Sequence, residues 1–401
     1  MLREHSRSPS ERRGADTQNL QRVTVPGSAG TPARVLCPAV DATALRSQFP
    51  VFEERAYLNS GTCGPLPRRA LHAVADVLAR AAVEGRTRTY METMLSLRDR
   101  QRAAYAERLG ADPADVALTS STSDGVVRVL AGLSLGPGDE VLTAPDEHPG
   151  LLGPLASLRA RRGVDVRTAP FEELADAVGR RTRLVACSHV SWVTGAVRPA
   201  GLAALGSRVP VLLDGAQGVG AVPIDVRALG CAFYAGSGQK WLCGPVGTGM
   251  LWIAPDRRED VLPIGATYMN LAEPGRALES PPHPDARRHD SPALSAEAAA
   301  ASVAAHDVLA EAGWDAVYER SRTLAATLAD RLRERGRVVA PRDATTLVSW
   351  EDDDPEATRD RLAADGILVR NLPGTPYVRA SVGAWNDECD LERLLDAAAP
   401  V

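Results

Sequence analysis

Two short segments decide the fold of this chain: Val209-Pro-Val-Leu-Leu-Asp214-Gly-Ala-Gln217 and Cys231-Ala-Phe-Tyr-Ala-Gly-Ser237-Gly-Gln-Lys240. Each is a compact apolar run that stops at a polar, glycine-containing turn. Uninterrupted apolar runs of this length, without polar alternation, are the pattern of strands buried on both faces of a parallel sheet. Working outward, similar runs occur at Val116-Ala-Leu-Thr119, Glu140-Val-Leu-Thr143, Val164–Thr168, Arg183–Cys187 and Thr248–Ile253. Between them, helical spacing is read over Gly125–Leu133, Leu151–Arg162, Phe171–Val178 and Pro199–Leu205, with two earlier helices at Arg69–Glu84 and Leu97–Leu109. Strand–helix alternation predicts βαβ units and an α/β fold with a large, mostly parallel sheet.

A polar, Pro- and Gly-rich stretch over 255–292 interrupts this alternation. Two Ala-rich helices at 294–312 and 314–335 follow. Short strands at 337–340, 345–350, 366–370 and 376–381 then alternate with helices at 355–365 and 387–398. The expected organisation is an N-terminal extension over 1–40, a large domain over 41–292 and a small α+β domain over 293–401. The extension is rich in Arg, Ser, Pro and Gly without apolar period, which reads as a disordered or loosely packed leader.

The 401 residues carry a formal net charge of −5, which argues against a nucleic-acid or membrane-surface binder. Six cysteines without a CxxC pair read as reduced thiols, not as a disulfide framework or zinc site. With no apolar leader and no long apolar run, a cytoplasmic protein is expected. Of the 46 basic residues, 45 are Arg, and the single lysine is Lys240. Drift of Lys to Arg explains the losses. It does not explain the survivor, unless chance does. A Schiff-base lysine is one position that Arg cannot fill, because guanidinium stays protonated and does not condense with aldehydes.

Ligands of open α/β sheets sit at the carboxyl ends of strands. Four features fall there. Thr119-Ser-Ser-Thr122-Ser123-Asp-Gly opens a helix, which makes either an anion pocket or an ordinary hydroxyl cap. His148, in Pro145-Asp-Glu-His-Pro-Gly, is placed to stack on a flat ring or to be a plain loop histidine. Asp214 ends an apolar strand and needs a partner there: a protonated pyridine nitrogen, a helix cap or a metal. Lys240 follows the next strand in a glycine-rich turn. Phosphate pocket, stacking His, buried Asp and a lone Lys together are what pyridoxal 5′-phosphate (PLP) requires.

The segments Tyr57-Leu-Asn-Ser-Gly-Thr-Cys-Gly-Pro-Leu-Pro67, Ser188-His-Val-Ser-Trp-Val-Thr-Gly195, Asp214-Gly-Ala-Gln217 and Ser237-Gly-Gln-Lys-Trp241 resemble those of class V aminotransferase-fold enzymes. That group includes cysteine desulfurases and isopenicillin N epimerases, and the resemblance runs over roughly residues 45–399. It implies PLP-dependent fold type I, with a seven-stranded large domain, a small C-terminal domain and a homodimer with active sites at its interface. By resemblance, Lys240 is the Schiff-base lysine and Asp214 the partner of the pyridine nitrogen. Gln217 matches the residue bonded to the ring hydroxyl, and His148 the one stacked on the ring. Thr122, Ser123 and Ser237 match phosphate contacts. Ser291, in Arg288-His-Asp-Ser-Pro-Ala, resembles a hydroxyl donated to the phosphate by the partner subunit, and Arg379 the arginine that grips the substrate carboxylate.

Three departures bear on activity. Gln239 stands where the family often has His, and Trp192 where desulfurases usually have Asn. The loop between Arg370 and Arg379 is short and lacks the cysteine that desulfurases use to take up sulfur. Cys63 and Cys243 lie near site segments and read as small packing residues. The expected activity is attack at the α carbon of an amino acid through an external aldimine, with β-elimination from an S-substituted cysteine placed first. Transamination, epimerisation and a non-catalytic PLP-binding protein are the alternatives.

Overall fold

The computed structural model describes residues 41–205, 208–292 and 295–398. The expected extension over 1–40 lies outside the described residues. In chain order the strands are β1 (Ala56–Tyr57), β2 (Val116–Thr119), β3 (Glu140–Thr143), β4 (Asp165–Thr168), β5 (Thr182–Ser188), β6 (Val211–Asp214), β7 (Phe233–Ser237) and β8 (Gly249–Ile253). They continue with β9 (Leu347–Glu351), β10 (Ile367–Leu368), β11 (Arg370–Asn371) and β12 (Tyr377–Ser381). The main helices are α1 (Ala42–Ser47), α2 (Arg68–Glu84), α3 (Arg88–Leu109), α4 (Thr122–Gly132), α5 (Pro149–Arg162), α6 (Ala296–Ala312), α7 (Trp314–Glu334), α8 (Pro355–Ala364) and α9 (Glu388–Ala397).

Seven strands form one sheet in the order β2-β8-β7-β6-β5-β3-β4. Five run parallel from β7 to β4, while β8 is antiparallel to both of its neighbours, β2 and β7. That double reversal leaves β2 pointing the same way as β7. The carboxyl ends of β2, β3, β5, β6 and β7 therefore share one edge.

Both faces of the sheet are covered, and the two-residue period of the strands divides the core between them. Val185, Cys187, Val211, Leu213, Tyr234 and Trp252 pack with Tyr105, Leu109, Val308 and Leu309 of α3 and α6. The alternate residues Leu184, Ala186, Leu212, Phe233, Ala235 and Leu251 pack with Val126, Val129, Leu151 and Leu155 of α4 and α5. A separate core brings α7, α8 and α9 against the three-stranded sheet β11-β12-β9. Ala56 and Leu58 also enter this core, because β1 pairs in parallel with β10.

Four expectations need correction. The segment 171–178 forms only a 3-10 turn at Phe171–Glu173, and 199–205 is a 3-10 helix at Ala200–Leu205. Both stretches instead close i→i+3 turns that serve as short connectors between strands. Near 337–340 only the single bridge Val339–Trp350 forms. Finally, α3 begins at Arg88 rather than Leu97, because its first two turns are largely exposed and carry little apolar period to read.

Candidate active site

The site lies along the shared carboxyl edge. Asp214 is the last residue of β6, and Ser188 of β5 sits directly opposite it in register. The Asp214 carboxylate is buried and accepts a hydrogen bond from the Ala216 amide at 2.9 Å. Burial pushes its carboxyl up, while the Ala216 amide and the Lys240 ammonium pull it back towards the charged form. The turn that follows must be glycine at position 215, where a Cβ would lie 2.1 Å from the Tyr234 ring.

Lys240 leaves the sheet three residues past β7. Its ammonium is lowered to about 8 by burial and by Arg379 and Arg370, against the opposing pull of Asp214. The turn that holds it is tight. Cys243 donates its amide to the Lys240 carbonyl at 3.1 Å and adopts φ 54°, the one left-handed non-glycine among the described residues. Such a conformation costs about 1–3 kcal/mol, which the surrounding buried residues must offset.

His148 caps α5, accepting the Gly150 amide on Nδ1 at 2.9 Å. That bond leaves the proton on Nε2. Burial, with Lys240, Arg370 and Arg379 nearby, lowers this imidazole to about 4, so the ring is neutral. Its edge meets Trp192 with centroids 5.0 Å apart at 88°. Trp192 is fixed by its indole N–H to the Asp146 carbonyl at 2.8 Å.

Arg379, on β12, is 1% exposed and donates Nη1 to the Trp192 carbonyl at 2.6 Å. Burial and the neighbouring Arg370 lower its guanidinium to about 9. Gln217 donates to the Gly61 carbonyl at 2.8 Å and accepts from the Trp241 indole at 3.0 Å. A Cβ on Gly61 would come within 2.7 Å of Ser381 Oγ and 2.9 Å of Arg379 Nη2. Glycine there lets the 59–64 loop approach β12 closely.

The hydroxyl-rich turn behaves less uniformly. Ser121 caps α4, and Thr122 Oγ1 is buried with no partner. Ser123 sits beside Gly150, whose Cβ would lie 2.5 Å from Ser123 Oγ. Ser237 donates to Gln239 Oε1 at 2.7 Å. Ser291 hydrogen-bonds Asp124 and accepts from Arg128 at 3.2 Å. The adjacent Asp290 is buried between Arg98 and Arg102.

Reasoning from sequence did not select Arg370 or Glu147. Arg370 stands opposite Arg379 across β11–β12, and its Nη1 donates to Thr62 Oγ1 at 3.2 Å. It also lines a surface cavity of about 850 Å³ with Asn59, Thr62 and Leu372. The available signal was a second arginine bounding the short loop before Arg379. Among the described residues no cluster of His, Cys, Asp and Glu could hold a metal. The five described cysteines are unpaired thiols, and no described helix is long and apolar enough to cross a membrane.

Buried polar atoms without partners, Thr122 Oγ1 and Arg379 Nε, fit a phosphorylated, carboxylate-bearing ligand beside the Asp214–Lys240 pair. A fold of this topology with this edge defines a PLP-dependent enzyme of fold type I. The chain belongs to the class-V aminotransferase family, whose model matches residues 56–394. It is 30% identical to isopenicillin N epimerase of Streptomyces clavuligerus, over 85% of this chain and 93% of that protein. It is likewise 30% identical to a probable cysteine desulfurase of Methanothermobacter thermautotrophicus, over 59% of this chain and 63% of that one. Among solved structures, C-DES with glycine covalently linked to its PLP cofactor superposes with a TM-score of 0.83 at 28% identity, covering 88% of this chain and 99% of that one. A second structure of C-DES describes it as a cystine C–S lyase in complex with its product, cysteine persulfide.

Proposed function

We propose that this PLP enzyme is a C–S lyase that performs β-elimination on an S-substituted cysteine or a related amino acid. The observation that carries the reading is the convergence of a buried arginine, Arg379, with the chain's single lysine at the edge marked by Asp214. Arg379 would fork onto the substrate α-carboxylate and Lys240 Nζ would take the α-proton. When bound, PLP supplies an electron sink for the pair released at the α carbon.

In this assignment Asp214 would hold the proton on the pyridine nitrogen, and the neutral His148 would pack against the ring. Gln217 has an amide N–H left for the ring hydroxyl, while Thr122, Ser123 and Ser237 would serve the phosphate. Elimination then forms a Cα–Cβ double bond as the Cβ–S bond breaks and sulfur leaves with the electron pair. The cysteine-free loop at 372–376 and the likeness to C-DES both support elimination over persulfide transfer to the enzyme. The likeness to isopenicillin N epimerase favours epimerisation as the second reading.

The proposal includes a cytoplasmic homodimer. Its support is the exposed Leu71, Leu78, Val83, Met91 and Leu95 on α2 and α3, together with unpaired cysteines. The deciding assay supplies cystine and S-substituted cysteines to the purified enzyme. Equimolar pyruvate and thiol or persulfide are expected. Racemised substrate without pyruvate, or amino transfer that requires a keto acid, would overturn elimination.

A further inference from the structure

Glu147 precedes His148 and is 4% exposed. Both of its carboxyl oxygens are used on one residue. The Ser188 amide donates to Oε1 at 2.8 Å, and Ser188 Oγ forms a close hydrogen bond with Oε2. Neither bond brings a cation. Ser188 ends β5 directly opposite Asp214, so two carboxyl groups are buried at the same edge. The charged groups acting on Glu147 are Asp214 and Asp146 of its own loop; Cys187 of β5 also lies within its reach, and the nearby cation Arg198 acts on Cys187 rather than on Glu147. None of the groups acting on Glu147 supplies positive charge.

We infer that Glu147 is a positioning residue that holds a proton and, as a neutral acid, ties the loop carrying His148 to the end of β5. Two arguments support the neutral form. An ionised carboxylate here would be buried without a cation and would face Asp214 as a like charge, which is the arrangement in which one carboxyl keeps its proton. The same contacts serve the neutral acid: Oε1 accepts the Ser188 amide, and the acid proton on Oε2 donates to Ser188 Oγ, whose own hydroxyl hydrogen is free to rotate away. Burial accordingly raises Glu147 to about 8, with Asp214 and Asp146 adding to the shift against the Ser188 bonds.

The consequence is twofold. His148 is fixed from both sides, through Ser188 behind it and through Gly150 ahead of it. Asp214 remains the one carboxylate whose charge faces the cofactor, so the pyridine nitrogen has a single partner for its proton. This role rests on the proposed placement of His148 over the ring, whereas the protonation state of Glu147 does not.

The test uses the holoenzyme and three variants, Glu147→Gln, Glu147→Ala and Glu147→Asp. The infrared difference spectrum between wild type and Glu147→Gln at neutral pH should contain the carbonyl stretch of a protonated carboxylic acid. Carboxylate bands in its place would overturn the inference, whatever reaction the enzyme catalyses. In kinetics, Glu147→Ala should lower kcat about tenfold with KM changed less than about twofold, and Glu147→Gln should recover most of that loss. Equal impairment of the Gln and Ala variants would overturn it, as would an alanine variant with wild-type kcat. Glu147→Asp is too short to span to Ser188 and should lower kcat as alanine does. It keeps the test decisive if the alanine variant fails to fold, and wild-type kcat in the Asp variant would refute the tie.

Discussion

Arg370 and Arg379 stand opposite each other across the antiparallel pair β11–β12, and their hydrogen-bond partners are neutral: the Thr62 hydroxyl and the Trp192 carbonyl. Like charges placed directly across a strand pair are destabilising. The pair is therefore poised for an anion. Replacing the Arg379 fork with Arg379→Lys should raise KM by about tenfold to a hundredfold, with a smaller change in kcat. Steady-state kinetics on the best substrate checks this, and an unchanged KM would remove Arg379 from carboxylate binding.

Arg370 also lowers the Lys240 ammonium. Removing its charge with Arg370→Ala should move the apparent pKa of free Lys240 upward. In the apoprotein, the pH dependence of Lys240 acylation by an amine-reactive reagent should shift to higher pH. A shift in the other direction would show that Arg370 does not act on Lys240 through charge.

Lys240→Arg keeps the positive charge but cannot form a Schiff base. The variant should lose the visible absorbance of the bound cofactor and fall in activity by on the order of a thousandfold, while its circular dichroism stays that of the wild type. A retained visible band would disprove the assignment of Lys240.

His148 is held near 4, below the usual histidine value of 6.5. A group depressed on folding binds its proton more readily in the unfolded chain. Its contribution to stability is thus full above pH 6.5 and is lost as the pH falls towards 4. Compared with His148→Gln, the apoprotein should lose more stability between pH 7 and pH 5, by about 1 kcal/mol once screening by solvent at this partly exposed ring is allowed for. Urea denaturation at the two pH values measures the difference, and parallel losses in both proteins would contradict a buried, neutral His148.

Asp290 accepts from Arg98 at 3.0 Å, from Arg102 at 2.8 and 3.0 Å, and from the Leu118 amide at 2.9 Å, all in buried surroundings. Asp290→Asn would leave two buried guanidiniums without their anion. The expected loss is about 3–5 kcal/mol in chemical denaturation. A loss below about 1 kcal/mol would mean that solvent reaches the cluster in the variant.

The order of strands and helices was legible because burial on both faces writes itself as uninterrupted apolar runs, as in Val211–Asp214 and Phe233–Ser237. The placement of Asp214 and Lys240 at the ends of β6 and β7 was legible because each apolar run stops at a polar, glycine-containing turn. The antiparallel insertion of β8 was not, since a strand buried on both faces reads the same in either direction. The turns at 171–173 and 200–205 read as helices because apolar spacing does not distinguish a 3-10 turn from an α-helix over so few residues.

The sequence by itself determined the class of fold and the cofactor chemistry. Those properties reside in local pattern and in residue types that have no substitute. Tertiary structure alone decided that Arg370 joins Arg379, that Glu147 meets Ser188 across the edge from Asp214, and that Ser291 bonds Asp124. The physical reason is that these contacts join strands and loops far apart in sequence. Their partners are chosen by register and burial, and neither is written in the neighbouring residues.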